Sequence, residues 1–329
     1  MKVGLLQFFG WRDRSVPLES VYARAMDRLE IMDQTGYDAV WLAEHHFTGY
    51  SVCPSVHVMA AHVASRTQNL RIGTGVTLAA FYHPLRIAEE VALLDVLTDG
   101  RINWGAGRGF DPREFSIFGV PPDESAERFR EAVEIVLAAW TNEKLSYQGR
   151  FHQYEDVEVL PKPRQQPHPP TWVAATSPPA IQWAANRGLS ILMDPHSPHP
   201  EIARKLEMYR EGLDKAGHPV GGRDLPIGRL VAVAPTDAEA EAIARRAAKW
   251  TAGAYLPKEA LANFRGDGKQ LDPVDHYMND VVIHGSPERV VETLQRLGEE
   301  IPLGYLLLSP LSEKTFGLFT ERVLPHVLG

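Results

Sequence analysis

Short apolar, β-branched runs alternate with longer helical patterns along the whole chain, and this alternation restricts it to βα units built around a parallel sheet. Strands are expected at 3–8, 39–43, 71–78, 101–105, 171–176, 189–193, 227–234 and 304–308. Between them apolar residues recur at helical spacing, as in Val21, Ala25, Leu29 and Met32, or Ile87, Val91, Leu94 and Leu97. Gly36, Asp99-Gly100, Thr236-Asp237 and Ser286-Pro287 supply the stops and starts. Eight strands in one alternating series over 329 residues predict an α/β fold, a (β/α)8 TIM barrel with insertion segments. An open doubly wound sheet is the rival arrangement. Residues 1–329 read as a single domain.

Two segments exceed a minimal barrel. Residues 148–170 are rich in Pro and Gln, and residues 255–284 are polar and interrupted by Gly266, Gly268 and Pro273. Long excursions in compact domains are commonly functional loops, so 255–284 is expected to act as a lid.

Composition removes several function classes. A net charge of -8, from 34 basic and 42 acidic residues, disfavours nucleic acid, and no Lys/Arg run offers a phosphate-tracking stripe. The single cysteine, Cys53, rules out an internal disulfide and a thiolate metal cluster, which suits the cytoplasm. The N-terminal apolar run meets Arg12-Asp13-Arg14 too soon for a signal peptide, and no stretch reaches the ~18 apolar residues of a membrane span.

Three places can carry chemistry. After the second strand comes Glu44-His45-His46, at the strand end where barrel enzymes build their sites. Histidine exchanges a proton near neutral pH, and an adjacent carboxylate can fix its tautomer and raise its basicity. A pair of hydrogen-bonded surface histidines is the plain alternative. A metal site fits less well, because adjacent histidines point apart and His57 and His62 are five residues apart rather than four. After the fourth strand, Gly105-Ala106-Gly107-Arg108-Gly109 combines close-approach glycines with a planar cationic fork suited to phosphate or carboxylate. A dinucleotide fingerprint is excluded, since Phe110 occupies the third glycine position; glycines serving strand geometry alone remain possible. After the fifth strand, Ala174-Ala175-Thr176-Ser177-Pro178-Pro179 opens a helix whose terminus can receive an anion. On a barrel, this terminus and Arg108 would open onto one face and grip one phosphate. Trp140, Trp172, Trp183 and Trp250 read as packing residues, and Cys53 as an inert small hydrophobe.

At these residues the chain resembles the bacterial luciferase family of flavin-dependent monooxygenases. The likeness runs through Gly36-Tyr37-Asp38-Ala39-Val40-Trp41-Leu42-Ala43-Glu44-His45-His46-Phe47-Thr48, His83-Pro84-Leu85-Arg86, Gly100-Arg101-Ile102-Asn103-Trp104-Gly105, Arg108-Gly109, Thr176-Ser177 and Gly285-Ser286-Pro287-Glu288. The resemblance implies a barrel binding reduced FMN delivered by a separate flavin reductase. O2 adds to flavin C4a, and the resulting peroxyflavin oxidises an aldehyde, ketone or similar small organic substrate. It implies His45 as the catalytic histidine, with Glu44 and His46 beside it, and Arg108 with Thr176, Ser177 and Ala175 at the flavin phosphate. It also implies a non-proline cis peptide at Gly75–Val76 against the flavin. The family's luminescent members carry a cysteine where Gly107 stands, which argues against light emission. A second phosphate arginine of the family falls at Ala126, with Arg128 a half-turn away. Relatives using coenzyme F420, and non-catalytic flavin binders, share the resemblance; the Glu44-His45-His46 triplet favours FMN. Apolar surface on the helices after the second and third strands, including Val58, Leu93, Val96 and Leu97, predicts a homodimer.

Overall fold

The structure is a computed structural model that describes residues 1–255, 265–266, 269–270 and 272–328. In chain order the elements are β1 (Lys2–Gln7), α1 (Leu18–Gln34), β2 (Ala39–Leu42), α2 (Val56–Ala64), β3 (Arg71–Thr74), β4 (Thr77–Leu78), α3 (Pro84–Leu97), β5 (Ile102–Gly107) and α4 (Pro112–Phe118). They continue with α5 (Ser125–Thr141), β6 (Leu145–Gln148), β7 (Gln153–Val157), β8 (Thr171–Ala174), α6 (Pro178–Asn186), β9 (Ser190–Leu192), α7 (His199–Lys215), β10 (Pro226–Val233) and α8 (Asp237–Tyr255). Helices Pro273–Asp280 and Pro287–Glu300, strands Ile283–Gly285 and Tyr305–Pro310, and short C-terminal helical turns follow. The chain divides into two compact units, Gln7–Ala174, and Met1–Leu6 together with Ala175–Gly329.

In the Gln7–Ala174 unit, β2, β3, β5 and β8 lie side by side and parallel, with Ala39 opposite Arg71, Ile72 opposite Ile102 and Trp104 opposite Thr171. Large aromatics fill the core. Trp41 meets Trp172 edge-on at 5.1 Å, and Trp104 meets Trp140 in the same way at 5.1 Å. Trp140 Nε1 also donates to the Ala88 carbonyl at 2.9 Å, which satisfies the one polar atom that burial of the ring would strand. Trp140 and Trp172 are thus packing residues, as expected. The strand read as 71–78 is broken at Gly75–Val76, a cis peptide bond, so β3 pairs with the start of β5 and β4 with its end, Thr77 opposite Ala106. The Pro-rich stretch begins with an antiparallel hairpin, β6–β7, that periodicity did not reveal. Its later part is fixed by Gln165, whose backbone N–H and Nε2 donate to Asp95 at 2.9 and 2.6 Å.

In the other unit, strand Ile283–Gly285, β10, strand Tyr305–Pro310 and β1 form a parallel series, and β9 joins β10 through Met193 and Ile227. Leu230 and Ala232 pack with Ala244, Ala248, Tyr277, Met278, Val281 and Val282. The segment 255–284 therefore ends in a packed helix and the approach to a strand: Tyr277 and Met278 are buried, which shortens the excursion expected from its polar sequence. Residues 256–264, 267–268 and 271 of the expected lid lie outside the described residues. No helix among the described residues is long and apolar enough to cross a membrane.

Candidate active site

The chain leaves β2 at Leu42 and runs directly into the ionisable triplet. Glu44 is buried, and its carboxylate is fully engaged: Tyr82 Oη donates to Oε1 at 2.8 Å, the Leu78 N–H donates to Oε2 at 3.2 Å, and His46 Nε2 lies 2.9 Å from Oε1. Glu44 thus pairs with His46, two residues on. This refines the expected role of the carboxylate. His46 is further held by its backbone N–H, which donates to Glu114 Oε1 at 2.9 Å, and by Phe118, edge-on at 4.8 Å. Burial raises the Glu114 carboxyl above the ordinary glutamate range, and burial followed by the Glu44 charge raises the Tyr82 phenol.

His45 sits in a different setting. Its backbone N–H donates to the Cys53 carbonyl at 3.2 Å. Its ring stacks on Phe8 at 6.0 Å and meets Tyr50 and Phe110 edge-on at 5.2 and 6.1 Å. His45 thus stands among aromatic rings, whereas Glu44, His46, Tyr82 and Glu114 are joined in one hydrogen-bonded network. Tyr82 and Glu114 were not legible as site residues, because no local pattern marks a side chain whose partner is more than 30 positions away.

At the end of β5 a Cβ on Gly105 would overlap the Thr74 carbonyl oxygen, and one on Gly107 would overlap the Val76 side chain. These two glycines serve strand packing, the plainer of the two sequence readings. Arg108 follows them and is exposed, with Nη1 3.3 Å from Ser125 Oγ and no carboxylate partner among the described residues. Arg128 differs: it is paired with Glu124 at 2.7 Å and lies over the Phe151 ring at 4.2 Å. The candidate cation for an anionic ligand in this unit is Arg108.

In the other unit Ala175 is buried, while Thr176 and Ser177 are exposed at the start of α6. Ser177 occupies the N-cap position but makes no side-chain capping bond. Pro178 and Pro179 have no N–H, and the N–H groups of Ala180 and Ile181 return to the Ser177 carbonyl at 3.0 Å each. The expected anion site therefore offers hydroxyls and the helix dipole rather than free first-turn N–H groups. Elsewhere, burial pushes the Cys53 thiol up to about 12, in keeping with an inert cysteine. His57 is buried between Glu90, 2.8 Å from Nδ1, and Thr77, 3.1 Å from Nε2. No cluster suited to a metal ion occurs among the described residues.

The family model for luciferase-like monooxygenases matches residues 1–301. The chain belongs to this family. An uncharacterized protein, y4wF, of Sinorhizobium fredii is 41% identical over 170 residues, 52% of this chain and 50% of its own length. The oxygenase component of flavin-dependent trigonelline monooxygenase from Acinetobacter baylyi is 28% identical over 200 residues, 60% of this chain and 55% of its own length. The chain thus spans about half the length of these two curated relatives. Among solved structures, monooxygenase RslO1 from Streptomyces bottropensis superposes with a TM-score of 0.86 at 28% identity over 100% of both chains. The oxygenating constituent of 3,6-diketocamphane monooxygenase from Pseudomonas putida, solved with FMN, gives 0.83 at 21% identity over 100% of this chain and 99% of that one. The fold class is that of the luciferase-like TIM barrel: the alternation of elements predicted the barrel and the motif resemblance its family.

Proposed function

We propose that this chain is the oxygenase of a two-component flavin-dependent monooxygenase, which receives reduced FMN from a separate flavin reductase and uses O2 to oxidise a small organic substrate. The observation that carries the reading is His45: an imidazole among aromatic rings at the end of β2, next to a Glu44–His46 pair already committed to each other. A protein that only stored flavin would need no acid–base group there.

The donor set suits FMN. Arg108, lacking a carboxylate partner among the described residues, matches a phosphate in charge and in fork geometry. Gly75 and Val76, in the same unit as Arg108, would border the ring system, and in the other unit Thr176 and Ser177, next to Ala175, are the hydroxyl candidates for an anion. Reduced FMN, when bound, supplies the electron pair that activates O2. His45 gives or takes the proton at an imidazole nitrogen, Glu44 and His46 fix the chain on which His45 stands, and Phe8, Tyr50 and Phe110 orient its ring.

Assembly as a homodimer belongs to the same reading. Val58 on α2 is 72% exposed and Leu97 on α3 is 71% exposed, while the opposite side of α3 is buried, so α3 is apolar beyond the stripe its own unit covers.

The test is flavin titration followed by turnover with a flavin reductase, NADH and a panel of aldehydes and ketones. Tight FMN binding with oxygenated product is the expected result. Binding of coenzyme F420 in place of FMN would replace this reading with an F420-dependent oxidoreductase, and FMN binding without turnover of any substrate would leave a flavin carrier.

A further inference from the structure

His57, on α2, stands outside the Glu44-His45-His46 triplet, yet it is buried with both ring nitrogens engaged. Nδ1 lies 2.8 Å from Glu90 Oε2 on α3, and Nε2 lies 3.1 Å from Thr77 Oγ1 on β4. The other Glu90 oxygen accepts from Arg86 Nη2 at 2.8 Å, so the carboxylate is held at both ends. The hydrogen bond to His57 is the first of the effects that keep the Glu90 carboxyl below the ordinary glutamate range. A carboxylate can only accept, so Nδ1 carries a proton and Nε2 is left for the Thr77 hydroxyl. A phenyl ring would fill the same space with no polar atom to satisfy, whereas an imidazole is tolerated there because both nitrogens are bonded. What the imidazole adds is a fixed direction for Thr77.

That direction matters because of what adjoins Thr77. It is 0% exposed, and β4 has only two residues, with Thr77 opposite Ala106 and Leu78 opposite Gly107. The Leu78 N–H is the one that donates to Glu44 Oε2 at 3.2 Å. Directly before β4 stand Gly75 and Val76, the residues assigned to the flavin ring. On their other side Thr74 Oγ1 donates to the Gly105 carbonyl at 2.7 Å and accepts from the Gly105 N–H at 2.9 Å. Gly75 and Val76 therefore lie between two threonines held by their hydroxyls, Thr74 on β5 and Thr77 on His57. The Val76 side chain rests against Gly107, the residue before Arg108.

We propose that His57 is a positioning residue for flavin binding: held by Glu90, it fixes Thr77 and with it the backbone of 75–78, which borders the flavin ring and delivers the Leu78 N–H to Glu44. All of these residues belong to one compact unit. The inference rests on the reading that flavin binds against Gly75 and Val76.

The experiment titrates the full chain with oxidised FMN and with riboflavin, records the visible circular dichroism of the bound flavin, and follows urea unfolding of the ligand-free protein. Thr77→Val, which lacks only the hydroxyl, and His57→Phe should each weaken both flavins by about three- to tenfold, the value of one hydrogen bond, and alter the visible dichroism. Both flavins are affected because they share the ring, whereas Arg108→Ala acts on FMN alone. Thr77→Ser, which restores the hydroxyl, should recover native affinity and dichroism. The double variant should lose no more than the larger single loss, because the two side chains act through one contact. A lower urea midpoint with native flavin affinity and dichroism would make His57 merely structural and overturn the proposal. If His57→Phe does not fold, the Thr77→Val and Thr77→Ser pair carries the same comparison, and equal flavin binding by these two overturns it. A native protein that binds neither flavin ends the flavin reading and this role with it, whereas native protein and folded variants that bind flavin alike end the role of His57 alone.

Discussion

His46 Nε2 lies 2.9 Å from Glu44 Oε1, two residues back along the same strand end, and this contact separates two histidines that the sequence presents as equivalent. One is tied into a scaffold, and the other stands among aromatic rings.

His45→Ala is accordingly expected to keep FMN binding while losing about 10² to 10⁴ in oxygenation rate, the size of a general acid–base contribution. His46→Ala should instead lower stability, with a smaller loss of turnover. Comparable turnover in native protein and His45→Ala, measured as product formed per O2 consumed, would remove His45 from the chemistry.

Glu44→Ala leaves Tyr82 Oη, the Leu78 N–H and His46 Nε2 without their acceptor. Each buried group so stranded costs about 1–3 kcal/mol, so urea unfolding should show a loss of roughly 3 kcal/mol or more. Glu44→Gln, which retains one acceptor oxygen, should lose clearly less.

Arg108→Ala should weaken FMN binding by about ten- to a hundredfold, the value of one charge-assisted contact, and leave riboflavin affinity unchanged. Equal affinities of riboflavin and FMN for the native protein would mean that Arg108 holds no phosphate.

Acid should act on the unit that holds His196 and His199. Burial first, and nearby arginine charge after it, lower both imidazoles from 6.5 to about 4, so between these values the unfolded chain binds protons that the folded chain does not. Their contribution to stability is complete above about pH 6.5 and is lost as the pH falls toward 4. Denaturant midpoints measured from pH 7.5 down to 4.5 should fall across this window, and His199→Phe should flatten the slope.

Val58→Asp combined with Leu97→Asp should convert a dimer to a monomer in light scattering at micromolar concentration while leaving the circular dichroism spectrum intact, since both side chains are mostly exposed. A monomeric native protein would end the homodimer assignment.

The alternation of strand and helix, and with it the barrel class, was legible from the sequence, because apolar periodicity is a local property that survives without knowledge of neighbours. The positions of Glu44-His45-His46 after β2 and Arg108 after β5 were legible for the same reason: a motif that directly follows a strand keeps its place at the strand end. Tertiary structure decided what these groups touch. Glu44 pairs with His46, and gains Tyr82 and Leu78 from the chain beyond β3; Gly105 and Gly107 are small because β3 and Val76 press against them. It also decided that Tyr277 and Met278 of a polar-looking stretch are core, and that Arg229 is buried with no hydrogen-bond partner for its nitrogens among the described residues. Such facts depend on register and on contacts between residues far apart in the chain, which local periodicity does not encode.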